Sequence, residues 1–399
     1  MAVDSQQAGA RPSAASWWYD PKVRSVAFQV AFVLALIGLG AYLIHNTIIN
    51  LEKRNIKTGF DFLFNPAGFE IPLTLIPYSV EAGSTHGAVF IVGLLNTLLI
   101  SALGIVLATI LGFILGVLRL SNNWLVSKLV GVYIESVRNV PLLLHFLFWH
   151  FAVFQSLPLV RKAIPIFDTV YIHNRGLTMP KPIPQPGFVV VLISFFVAIA
   201  AIAYLKKWAR RRQDATGEQF PVFWASLGVL IGVPLLVSAA TGFPLTWEYA
   251  ELGRFRFTGG LEIQIELFAS LAALTVYTSS FIAEIVRAGI LAVSRGQREA
   301  SYSLGVRPGP TLRLVIIPQA LRVIVPPLVS QFLNLTKNSS LGIAIGYPDL
   351  FNVFGGISLN QTGQAIEIIA MCMVVYLTFS LLISLYMNWY NRRISLVER

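Results

Sequence analysis

Charge is what this sequence has least of. Only 12% of its 399 residues are charged, against about 25% in a typical soluble chain, while 55% are hydrophobic. A soluble domain of this length has no core large enough to hide that much apolar surface, which excludes an ordinary globular enzyme. Cysteine is nearly absent. The single Cys372, inside an apolar run, excludes an intrachain disulfide and any CxxC site. The five histidines are scattered, and His145 and His150 stand five apart, off a common helical face, so no metal site is expected. GxxxxGK[ST], HExxH and GxSxG are all missing. No catalytic residue is expected, and no ATP held by a phosphate-binding loop on this chain.

What is present is long apolar runs. A membrane span needs roughly 20 mostly apolar residues, and eight candidates are read at 25–45, 88–118, 129–155, 187–205, 221–241, 267–292, 321–345 and 365–388. The fold class is therefore an all-α integral membrane protein with about eight transmembrane helices. The first run is too long for a signal h-region and lacks a clear cleavage site after it, so it is expected to stay as an anchor. The second exceeds one straight crossing and must tilt or project from the bilayer. Pro326, Pro327 and Lys337 interrupt the seventh, and in lipid such breaks need surrounding protein or a water-lined cavity.

The net charge of +11 does not mark a nucleic-acid binder, because the basic residues sit between apolar runs instead of forming one domain. Loops on the side of the termini hold 18 Lys and Arg, the opposite loops 9, and the spans the remaining three. That bias puts both termini in the cytoplasm. The segment 156–186 opposes it with four basic residues on the outer side. Its six prolines predict an extended outer loop, and "KKWARRRQ" (206–213) reads as a stop-transfer anchor. The expected organisation is an N-tail over 1–24, an extra span and outer loop over 25–87, and a first core half over 88–155. A proline-rich loop with two inserted spans follows over 156–264, then a second core half over 265–390 and a C-tail over 391–399.

Charges inside spans cost about 2.5–3.5 kcal/mol each on insertion scales, so each needs a reason. Glu135 and Arg138 in "YIESVRN", and Glu284 and Arg287 in "FIAEIVRAG", stand three apart on one helical face and can neutralise each other. The same four residues are also candidates for lining or gating a pathway. In "FLNLTKNSSLG", Asn334, Lys337 and Asn338 share a face, with Ser339 close by. Lys337 has no acidic residue within a turn; it suits the carboxylate of a small solute, or else it snorkels or bonds a neighbouring helix. Tyr277 and Ser280 in "TVYTSSFIAE" are further pathway candidates, although hydroxyl residues also serve plain helix packing.

One basic, proline-bearing segment breaks the apolar chain: "REASYSLGVRPGPTLRLVIIPQA", 298–320. Ser294 and Gly296 can open a short helix and Gly305 can close it. "RPGP" forbids one continuous helix across it, and a second piece leads to Pro318. The expected object is a compact helical knob on the cytoplasmic face. Glu299, Ala300 and Ser301, then Gly305 after three intervening residues, then Val315, Ile317 and Pro318 resemble the EAA loop of binding-protein-dependent ABC importer permeases. That family's pattern is E-A-A, three residues, G, nine residues and I-x-L-P. Ser301, Val315 and Ile317 are mild departures from it.

"GLLNTLLISALGIVLATILGFILGVLRLSNN", "YIESVRNVPLLLHFLFWHF", "YTSSFIAEIVRAGILAVSRGQREASYSLG" and "LTKNSSLG" resemble successive core helices of the polar amino-acid (His/Glu/Gln) branch. The resemblance covers roughly 88–155 and 260–395. The longer layout is similar to the Q-type membrane subunits of general L-amino-acid transport systems.

The resemblance implies a type I importer core in a bacterial inner membrane. It also implies a coupling contact made by Glu299, Ala300, Ser301, Gly305 and Pro318 within 293–318. Implied partners are two ABC ATPase subunits that hold ATP and magnesium, a second permease subunit (a heterodimer by the family's usual pairing), a periplasmic amino-acid-binding protein and membrane lipid. No cofactor is implied on this chain. An ion-driven secondary transporter and a non-transporting scaffold are the competing classes, and neither needs the knob.

Overall fold

A computed structural model describes residues 21–53, 58–254 and 256–394. Most of the N-tail read over 1–24, and 395–399 of the C-tail, lie outside the described residues. Among the described residues, seven helices are long and apolar enough to cross a membrane, or eight if one bent pair counts as a span.

The first long helix, α1 (Pro21–Lys53), has no buried residue. The core begins with α2 (His86–Arg119), capped by the Thr85 hydroxyl, which accepts from the Ala88 N–H. Then come α3 (Trp124–Asn139) and α4 (Leu142–Leu147), the latter running into a π-helical turn over Phe148–Phe154. The span read over 129–155 is broken: the chain bends by 105° between its two helices. The break falls at Val140–Pro141. Proline has no N–H to continue the ladder, and it drives the preceding residue out of the helical region.

The proline-rich segment is not a structureless loop. Strands β1 (Ile164–Ile166), β2 (Val170–His173), β3 (Gly176–Met179) and β8 (Leu261–Gln264) form an antiparallel sheet in that order. Beside it, β4 (Lys181–Pro184) pairs with β5 (Leu245–Glu248), and β6 (Glu251–Leu252) with β7 (Phe257–Thr258). The prolines within strands fall in the edge strand β1 and in the two-stranded β4, where a missing donor is tolerated. His173 is buried here against Thr178 Oγ1 at 2.9 Å, and burial holds its imidazole below the ordinary histidine range.

Between β4 and β5 the chain makes a hairpin of two long helices, α5 (Phe188–Thr216) and α6 (Val222–Ala240). They pack chiefly on each other. The central helix is α7 (Ile265–Leu291), with 56% of its apolar stretch buried against 0% for α1. Two glycines one turn apart on α2 let it lie against α7. A Cβ on Gly112 would sit 2.6 Å from Ile282 Cβ, and one on Gly116 2.7 Å from the Ala283 carbonyl. This is the close approach that small-xxx-small spacing permits between membrane helices.

After α8 (Arg295–Ser303), the chain runs through α9 (Pro308–Thr311), a π-helical turn over Leu312–Ile316, α10 (Ile317–Asn338) and a 3₁₀ stretch to Ile345. The π turn lies just before Pro318, whose ring and missing N–H do not fit a regular turn. The stretch 346–364, expected as an outer loop, carries a π-helical turn over Phe351–Ser358 and α11 (Leu359–Thr362). Tyr347, Leu350 and Phe354 are fully buried there. The last helix is α12 (Ala365–Ile394).

Candidate coupling knob and polar helix face

The knob takes its shape from local rules. Helix α8 ends because Gly305 enters the left-handed region at φ +72°, which costs a glycine nothing sterically. The Gly305 N–H then donates to the Tyr302 carbonyl at 2.9 Å, and the Val306 N–H to Ser301 at 3.1 Å. Pro308 occupies the first turn of α9, the position where a proline is preorganised. A buried bond between the Ser301 and Thr311 hydroxyls, 2.8 Å long, pins the two helical pieces together. Ser301 therefore faces inward, while Glu299, Ala300, Gly305 and Pro318 are exposed. Around them the knob presents bare apolar side chains: Leu304 is 83% exposed and Leu314 69%.

The four charges of α3 and α7 all find partners, but the i, i+3 spacing predicts only one of the two pairs. The Arg287 guanidinium donates to both oxygens of Glu284, with Nε 3.0 and 3.1 Å away. Glu135 instead takes Arg119 of α2, Nη2 to Oε1 at 3.0 Å. Arg138 lies over the Phe281 ring at 4.8 Å, a cation–π contact. Helix α3 packs beside α2 and α7, so its two charged side chains find different neighbours across helices. Arg119 also approaches Glu284 at 3.9 Å, which joins the charges of α2, α3 and α7 into one cluster.

Of the polar pathway candidates, Asn334 and Lys337 are exposed and Asn338 is half-buried. Lys337 has no salt bridge among the described residues. Ser339 and Ser280 are buried, and their hydroxyls donate to the Thr336 and Tyr277 carbonyls. Tyr277 is half-buried, with its ring near His145. The open stripe of α10 runs through Pro326, Pro327, Ser330, Asn334 and Lys337. By contrast, α12 exposes Met373, Val374, Leu377, Leu381 and Leu385, a surface suited to lipid tails.

One polar network lies outside every site expected from the sequence. Asp349, fully buried, accepts from the Asn352 N–H at 2.9 Å and from the Tyr376 hydroxyl at 3.3 Å. The Leu350 N–H donates to Thr97 Oγ1, and the Asn96 amide to the carbonyls of Leu73 and Pro348. No cation faces the carboxyl among the described residues, and burial pushes Asp349 up to about 7. The signal was the polar pair Asn96-Thr97 within the apolar run of α2, opposite an acid assigned to a loop.

The chain is a helical membrane bundle with a compact helical knob between two of its spans, the layout of a membrane transport subunit. The chain belongs to the binding-protein-dependent transport system inner membrane component family, whose profile matches residues 104–396. It is 48% identical over 381 residues, 96% of this chain and 94% of the relative, to the general L-amino acid transport system permease protein AapQ of Rhizobium johnstonii. It is 52% identical over 380 residues, 95% and 96% of the two chains, to the putative amino-acid ABC transporter permease protein YhdX of Escherichia coli. Over 430 aligned positions covering both chains in full, it is 44% identical to the glutamate/glutamine/aspartate/asparagine transport system permease protein BztB of Rhodobacter capsulatus.

Proposed function

We propose that this chain is a permease subunit of an ATP-driven importer for general or polar L-amino acids in a bacterial inner membrane. Full-length likeness to three amino-acid permeases supports the substrate class. The observation that carries the coupling role is the knob: an exposed Glu299, a left-handed Gly305 and bare Leu304 and Leu314 on a short helix locked by Ser301 and Thr311. Exposed apolar side chains gathered into a patch with a polar rim suit a docking surface. No phosphate-binding loop exists on the chain, so ATP and magnesium reside on a partner ATPase, two copies serving two permease subunits. A sister permease completes the pathway, a periplasmic binding protein delivers the amino acid, and both termini face the cytoplasm.

The polar stripe of α10 is the translocation face. A lysine turned to lipid costs about 2.5–3.5 kcal/mol, whereas a water-lined path between two subunits relieves that cost. Reconstitution with the partner subunits in proteoliposomes tests the reading. Uptake is expected to require internal ATP, and a Glu299→Lys/Gly305→Val variant is expected to lose uptake while its spans still assemble. Uptake without ATP would return the chain to the secondary transporters.

A further inference from the structure

At the knob end of the bundle, α2, α3 and Arg287 of α7 line an open cavity of about 560 Å³. Its wall carries three cations, Arg119, Lys128 and Arg287, and a single carboxylate, Glu135. Two of the cations are fixed. Arg119 donates to the Gly131 carbonyl at 3.2 Å and to Glu135, and Arg287 is held by Glu284. A guanidinium has five N–H donors, so both keep donors beyond these bonds. Lys128 forms no salt bridge among the described residues.

The turn that forms one wall of the cavity is fixed too. Asn123 caps α3 by accepting from the Leu125 and Val126 N–H groups, and the Ser127 hydroxyl donates to the Arg119 carbonyl at 2.7 Å. The site is therefore preorganised and carries an excess of positive charge.

Its surroundings decide what it takes. Trp124, on the cavity wall, is 74% exposed. Leu125, Leu129 and Val132 lie at i, i+4 and i+7, on one face of α3, and all three are exposed. That apolar face adjoins the positive cavity along the same helix. Tryptophan and basic residues at a span end are the side chains of the membrane interface, and basic pockets between spans at the inner face bind anionic headgroups.

We propose that the α2–α3–α7 cavity binds the phosphate headgroup of an anionic phospholipid, Lys128 supplying the free charge and Leu125, Leu129 and Val132 lying along an acyl chain. The proposal does not depend on what the permease carries. An acidic protein segment or free phosphate would satisfy the cations but would leave the apolar face of α3 without a partner.

Tryptophan quenching in nanodiscs tests it on the full chain. Phosphatidylcholine discs receive a minor fraction of dibrominated phosphatidylglycerol or, as control, dibrominated phosphatidylcholine. The anionic lipid is expected to quench more, and Trp124→Phe to remove that difference. Lys128→Gln is expected to raise the amount of anionic lipid needed by about five-fold, one interfacial charge's worth, and Lys128→Arg to restore it. Millimolar inorganic phosphate is expected to leave the signal unchanged. Equal quenching by the two lipids, a difference that survives Trp124→Phe, or indifference to Lys128→Gln overturns the proposal. Displacement by inorganic phosphate overturns it as well, making the site one for a free anion.

Discussion

Lys337 shows how far a single residue can be read. A lysine within an apolar run, with no acid in reach, demands an explanation from outside its own helix. In the structure it stands exposed beside Asn334 on a stripe that also includes Ser330 and two prolines. Ser280 and Ser339 followed the same logic from sequence, yet their hydroxyls turn back to carbonyls three residues earlier. The sequence cannot distinguish these cases, because helix rotation, not residue type, decides which face is open. If Lys337 meets the solute, Lys337→Met lowers amino-acid uptake about ten-fold, equivalent to about 1.4 kcal/mol of transition-state binding. Lys337→Arg retains more activity, and co-purification with the partners is undiminished in both. Uptake kinetics in proteoliposomes, measured beside complex yield, check this; unchanged kinetics in the methionine variant remove Lys337 from the pathway.

At the scale of elements, what was legible followed from local chemistry. The knob's stop at Gly305, its restart at Pro308 and the pairing of Glu284 with Arg287 depend on neighbours within a few residues. The break before Pro141 is local proline chemistry too, but the burial of 347–354 depends on tertiary contacts that no window of sequence contains. Asp349 is the clearest instance: a loop acid by composition, it is a helix cap sealed against α2 and α12 in the fold.

That burial has a pH consequence. The groups facing the carboxyl are the Tyr376 hydroxyl, Tyr347, the Asn352 N–H and the Cys372 thiol, none of them cationic at neutral pH. A carboxyl raised from about 4 to about 7 by folding binds its proton more tightly in the folded state. Its stabilisation is complete below pH 4 and is lost as pH rises to about 7, at no more than about 1.4 kcal/mol per pH unit. Thermal unfolding of the detergent-solubilised chain is expected to show the melting temperature falling between pH 5 and 7 and levelling above it. Asp349→Asn flattens that slope, because an amide has no proton to lose. A slope that persists in the asparagine variant assigns the effect to other groups.

The whole molecule is a compact core with additions that barely touch it. Buried positions concentrate in α2, α7, α10 and the 347–354 segment, whereas α1 and α6 have none. The α5–α6 hairpin leaves and re-enters the protein through one gate. There Pro184 stands opposite Leu245 in the β4–β5 ladder, and the Gln185 N–H donates to the Pro244 carbonyl at 3.0 Å. Two spans inserted through a closed strand pair preserve the orientation of every other span, since an even number adds no net crossing. A two-residue Asn-Gly turn is the natural closure for antiparallel strands, so replacing residues 185–244 with that turn is expected to leave β4 and β5 paired and the core intact. The shortened chain should insert in the membrane, keep its core resistant to limited proteolysis and melt within about 4 °C of the full chain, the shift that about 1–2 kcal/mol produces at this size. Loss of protease resistance across 86–119 and 265–291 would show that the hairpin braces the α2–α7 pair. Survival of the core with loss of uptake would instead locate the hairpin's contribution in the assembled transporter, against a partner subunit or the surrounding lipid.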